Sequence, residues 1–212
     1  MHAGPDAGRG SLLCAGDLFR MAAVVVAAGL TTGCLAEEPR PAVGIGTPKT
    51  ATPAPALDPA EVQSAWWSWA SGSPSGRNPV EDATGEHCAE GQPSDRWFLA
   101  GTFGGSATRR CTVPPGRALI APLVNRMGES AAECDSCMRS AQGALTIDGR
   151  PWPTLRWNAT PITVTATAGN PVTGDEGTFG GHACGLWSWS PPLPPARTGW
   201  SSAATARAFR YR

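Results

Sequence analysis

The chain has 212 residues, enough for one domain of ordinary size with tails. Its 26 glycines and 21 prolines stay below the ~25–30% that marks low-complexity sequence, so a globular segment is expected. Charge is balanced, 17 Lys and Arg against 17 Asp and Glu, which gives no electrostatic ground for binding nucleic acid; no apolar run approaches the ~20 residues of a spanning helix, which excludes a helical transporter or channel.

After Arg20, residues 21–30 (MAAVVVAAGL) form a short uncharged apolar run, followed by Thr31, Thr32, Gly33 and Cys34. This is the pattern of a secretory h-region and a lipobox: the run is too short to remain as a span, and the small residues before Cys34 open the backbone to a peptidase. Residues 1–33 are read as a lipoprotein signal peptide and Cys34 as the site of lipid attachment. Asp17, close to the apolar run, is out of place in a signal n-region and points to a start codon downstream of Met1. Residues 34–57 are rich in Pro, Ala and Thr without hydrophobic periodicity and read as a semi-extended tether. The expected location is the extracellular face of the cell membrane, through a lipid anchor alone, or secretion.

The globular segment is placed at 58–195. Asp58, Pro59 and Glu61 supply an N-cap acid, Pro at N1 and an acid at N3, which predicts a helix over 59–71. Val62, Ala65, Trp66 and Trp69 form an apolar stripe with Trp67 beside it, expected to dock on a core rather than to face solvent. Residues 71–95 carry Glu81, Asp82, Glu86, Glu90 and Asp95 against Arg77 alone, the composition of a long ordered loop or a ligand loop. Strands are predicted at 96–103 and 108–113, joined as a hairpin, and at 118–125, where Pro122 calls for an edge or a bulge. A short polar helix follows at 129–141, then a strand at 144–148 ending in an Asp148-Gly149 turn. In 161–168, Ile162, Val164 and Ala166 alternate with Thr163, Thr165 and Thr167, the clearest half-buried strand of the chain. The aromatic segment 182–190 is ended by Pro191. The Gly-Thr-Phe-Gly-Gly copies at 101–105 and 177–181 read as turns, and no internal repeat is found. Short strands punctuated by Gly and Pro predict a mainly β fold, an antiparallel β-sandwich or jelly-roll-like domain with one or two short helices.

Processing leaves Cys88, Cys111, Cys134, Cys137 and Cys184, an odd set in which one is left over or pairs between chains. Cys88 precedes the first predicted strand and Cys111 lies in the second, so their bridge is the first choice. Cys134 and Cys137 form Cys-x-x-Cys flanked by Glu133 and Asp135, whose charge disfavours a thiolate. A structural bridge, within the motif or to Cys184, is expected instead. A zinc site would need a second pair of ligands, so neither a metal nor a cofactor is expected. No nucleophile elbow, metalloprotease helix, phosphate loop or dinucleotide fingerprint occurs. His87 lies beside Asp82 and Glu86, and His182 near Asp175 and Glu176; each is expected to be a solvated residue, the alternative being a general base oriented by a carboxylate. Asp82 and Glu86 also have the residue types of a glycosidase pair. Asp82, Glu86, His87 and Trp97 are the candidate ligand-binding residues, since aromatics beside carboxylates suit a carbohydrate or a peptide.

Taken together, WWSW at 66–69, NPVEDATGEHC at 78–88, WFLAG at 97–101, the R-x-C-T-V-P-x-G-R-A pattern at 109–118, PLVN at 122–125 and GLWSWSPPLPP at 185–195 are similar to a family of uncharacterised exported bacterial proteins, often labelled "signal protein". The resemblance implies an exported domain and a Cys88–Cys111 pair, and nothing catalytic. That family continues as a strand after the proline-rich element, whereas this chain reads ARTGWSSAATARAFRYR, with four arginines and no acid. The departure predicts a lost reading frame near Pro195 or Ala196, with 196–212 an atypical basic tail; a divergent tail is the alternative. The resulting expectation is a lipid-anchored or secreted cell-surface protein acting as a binding or structural module, the alternative being a secreted hydrolase using the carboxylates or histidine of the 82–87 loop.

Overall fold

A computed structural model describes residues 56–192; the signal peptide, Cys34, all but the end of the tether, and the basic tail lie outside the described residues. The first element, α1 (Pro59–Ala70), starts as its local sequence dictates. The Asp58 carboxylate accepts the Ala60 amide at 2.9 Å, and Pro59 occupies N1, where no amide is needed. Leu57 and Val62 join one cluster from the N′ and N4 positions, the placement of a hydrophobic staple, so core packing already includes the last residue assigned to the tether. Glu61 does not close a capping box: its carboxylate lies 2.9 Å from the Arg96 guanidinium.

The remaining elements are β1 (Arg96–Phe98), β2 (Ala118–Gly128), α2 (Ala131–Ser140), β3 (Leu145–Ile147), β4 (Arg150–Trp152), β5 (Leu155–Ala166) and β6 (Gly177–Ser190). Four strands form one sheet in the order β1-β2-β6-β5, antiparallel except for the parallel pair β1 and β2. On one face α1 buries Trp66, Trp67 and Trp69 against Ile162 and Val164 of β5 and Trp187 of β6. The tryptophan stripe is therefore core, as its helical spacing predicts. On the other face α2 and the β3–β4 hairpin pack over Ala121, Leu123 and Leu186. The hairpin turns on Asp148 (φ 50) and Gly149 (φ 74), the paired left-handed conformations that match strand twist. The fold is thus mainly β with two short helices, and the ribbon over the sheet makes that side sandwich-like.

Several boundaries differ from expectation for physical reasons. The strand beginning at Arg96 ends at Phe98, and 108–113 forms no strand, so there is no hairpin between them. Because β1 runs parallel to β2, residues 99–117 are a crossover, and their polar groups bind elsewhere. The Arg109 guanidinium donates to the carbonyls of Val80 (3.0 Å), Ala100 (2.9 Å) and Asp82, and the Arg110 amide donates to Thr84 O at 2.8 Å. Pro122 lies in a strand flanked on both sides, not at a sheet edge. A bulge between Pro122 and Val124 accommodates it, and its missing N–H falls past Ile120, where β1 ends. Residues 177–181 are not a turn but the start of β6, where Gly180 and Gly181 pair with Thr163 and Ile162.

Candidate functional site

The acidic loop that the sequence offers as a ligand region is built around buried amides. Asn78, 1% exposed, donates to Ala70 O (2.7 Å) and Ser73 O (2.9 Å) and accepts the Val80 amide (2.9 Å), which joins the loop to the end of α1. Its carboxylates are then taken in turn. Glu81 accepts the Ser75 hydroxyl at 2.8 Å and the Gly76 amide at 3.0 Å; Glu90 pairs with Arg77 at 2.9 Å; Asp95 pairs with Arg96 at 2.7 Å. Gln92 donates to Cys88 O (2.9 Å) and to Phe98 O (2.8 Å), and accepts the Phe98 amide (2.8 Å), standing in for a strand beside β1.

Asp82 is the most constrained member of the loop. One oxygen accepts the Thr84 amide (2.8 Å), the Thr84 hydroxyl (2.9 Å) and the Gly85 amide (3.0 Å), and the other accepts the His87 amide (2.9 Å). Partial burial works against ionisation, but these hydrogen bonds outweigh it and lower the carboxyl from 3.8 to about 2. Such a group is ionised at neutral pH and cannot serve as a general acid; as a base it is weak. His87 meets Asp82 through its backbone and not through its ring. Glu86 is solvent-exposed, and His87 is half-buried.

The depressed carboxyl has a consequence for acid stability. Its contribution is fully present above about pH 4 and is lost as pH falls toward about 2, because the unfolded chain binds the proton first. With solvent screening of this partly exposed group, the shift is worth on the order of 1 kcal/mol. Urea unfolding of wild type and Asp82→Asn at pH 5 and pH 2.5 is expected to show a stability gap that narrows at the lower pH. A constant gap would assign the effect to packing.

Trp97 is buried. It is 2% exposed, with the Arg117 guanidinium 5.7 Å above its ring, because β1 is covered by the crossover and loop. Burial thus separates Trp97 from the solvent side of Glu86 and His87. His182 lies half-buried on β6, its Nδ1 3.3 Å from Glu129 O. Cys88 and Cys111 are bridged with Cα atoms 6.0 Å apart, which fastens the acidic loop to the crossover. Cys134 is bridged to Cys184, joining α2 to β6, so of the two expected arrangements the bridge runs from the Cys-x-x-Cys motif to Cys184. These two disulfides indicate an oxidising, non-cytoplasmic compartment.

A shallow groove of about 360 Å³ runs between the start of α1 and β5, past Asp58, Glu61, Ser64, Pro161 and Thr163. None of the sequence-selected ligand residues lines it. Among the described residues no three His, Cys, Asp or Glu side chains gather as metal ligands, and no helix is long and apolar enough to cross a membrane. Comparison with protein-family models, with curated proteins and with solved structures gives no match to the chain.

Proposed function

We propose that the chain is a lipid-anchored or secreted bacterial cell-surface protein whose 58–195 domain is a binding or structural module. Attachment at Cys34 and the 34–57 tether would hold it off the membrane, with the solvent side of Glu86 and His87 as the region for a carbohydrate or peptide ligand. The observation that carries this reading is the pair of disulfides, one fixing each half of a small domain in the manner of exported proteins. The hydrolase alternative finds no support in the loop: Asp82 is fully hydrogen-bonded, and no acid–base pair is formed with His87.

Labelling of expressing cells with radioactive palmitate tests the anchor. Wild type is expected to be labelled and to partition into detergent, and Cys34→Ala to lose the label and enter the medium. Unlabelled wild type in the medium would select the secreted form, and retention of the wild type in the cytoplasm would overturn the proposal.

A further inference from the structure

The two disulfides sit in opposite surroundings. Cys134 and Cys184 are 0% exposed between α2 and β6, whereas Cys88 and Cys111 are half-buried, with exposed Ala89 beside one and exposed Arg110 and Thr112 beside the other. A reductant in solution therefore reaches the bridge between the acidic loop and the crossover before the one between α2 and β6. The first bridge can also open without loss of the local fold. The Cys88 sulfur lies 2.9 Å from Gly85 O, so a thiol there has its acceptor in place. Both segments keep other fastenings. Arg109 donates to the carbonyls of Val80, Asp82 and Ala100, the Arg110 amide donates to Thr84 O at 2.8 Å, and Gln92 donates to Cys88 O at 2.9 Å. These bonds bracket the two cysteines, whose Cα atoms are 6.0 Å apart, within the span of a disulfide.

We propose that Cys88–Cys111 is a reversible thiol–disulfide exchange site whose co-reactant is a dithiol. A thiolate of the dithiol attacks the Cys88 sulfur, the S–S bond breaks, and its electron pair leaves on the Cys111 sulfur, which takes up a proton. The second thiol of the reductant then loses its proton and attacks the mixed disulfide, releasing Cys88 as a thiol that donates to Gly85 O. Two electrons pass to the protein, and the dithiol ends as a disulfide. The direction of cleavage follows from charge. Arg110 adjoins Cys111 and stabilises a leaving thiolate, while the Gly85 carbonyl and Glu86 lie on the Cys88 side and disfavour one. With Arg109 and Gln92 still in place, the two thiols stay within reach and reclose when the dithiol is withdrawn. The inference rests on neither the lipid anchor nor a ligand.

The test is titration of the full chain with dithiothreitol near neutral pH, followed by alkylation and peptide mapping. Cys88 and Cys111 are expected to be alkylated at dithiol concentrations on the order of tenfold or more below those that open Cys134–Cys184, with the aromatic circular dichroism retained. Removing the dithiol before alkylation is expected to restore the bridge between the same two cysteines. Arg110→Gln, at an exposed side chain, is expected to slow opening by roughly threefold or more, a change that exposure of the bridge alone does not produce. Opening of both bridges together, unfolding of the domain as Cys88–Cys111 opens, failure to reclose, or an opening rate in Arg110→Gln equal to that of the wild type would each overturn the proposal.

Discussion

Replacing Cys134 and Cys184 together by alanine is expected to lower the stability of the domain by about 4 kcal/mol, the chain entropy released when a loop of this length is opened. The bridge spans 50 residues and encloses β3, β4 and β5, so its loss frees both the ribbon and an outer strand of the sheet. Both cysteines are fully buried, packed with Leu123, Met138 and Leu186. Serine would be a poorer probe than alanine there, because a hydroxyl without a partner adds its own desolvation cost. The Cys88–Cys111 bridge spans 23 residues, and its removal is expected to cost less, about 3 kcal/mol. It confines only the end of the acidic loop, β1 and most of the crossover. Urea midpoints of the two double variants under oxidising conditions check the order. A larger loss from the Cys88 and Cys111 replacements would mean that the acidic loop, not the ribbon, closes the core.

Local chemistry made parts of this fold legible. Asp58 and Pro59 specify the start of α1 through groups within two residues of each other, and one exposed sheet face gives β5 its alternation of Thr with Ile and Val. For the crossover the sequence is ambiguous, because apolar runs broken by Gly describe a hairpin and a crossover alike. What decides between them is the parallel pairing of β1 with β2 and the three carbonyls that hold Arg109, all of them tertiary. The acidic loop misled for a related reason. Charge counting saw Arg77 as its lone offset, whereas Glu81 and Asp82 are satisfied by hydroxyls and amides that carry no formal charge. The sequence also carries a repeated tripeptide. Asn-Pro-Val occurs at 78–80 and again at 170–172, and in both places the Asn Oδ1 accepts the amide of the valine two residues on, at 2.9 and 3.0 Å, while that valine enters the core. Asn before Pro favours such a turn. The two copies shape the loops that flank the same α1 face.

Gly85→Ala is expected to destabilise the domain by about 3 kcal/mol, the sum of left-handed strain and a backbone clash. Gly85 has φ +98, and a Cβ there would sit 2.7 Å from the Arg110 nitrogen and closer still to its carbonyl oxygen. A flexible side chain could move aside, but this backbone cannot. Arg109 is held by the carbonyls of Val80, Asp82 and Ala100, Cys111 is bridged to Cys88, and the Arg110 amide itself donates to Thr84 O. Gly76 is the matched comparison: φ is +83, yet nothing lies within 4 Å of a Cβ placed there. Gly76→Ala is therefore expected to cost about 1 kcal/mol from backbone strain alone. Urea unfolding separates the two, and the acid response adds a readout confined to the loop. If Gly85→Ala displaces the Gly85 amide from Asp82, the carboxyl loses a donor, and the stability gap between pH 5 and pH 2.5 shrinks along with the overall loss. Equal effects at both glycines would mean that the crossover yields at Arg110 and that the contact between the acidic loop and the crossover is looser than its hydrogen bonds imply.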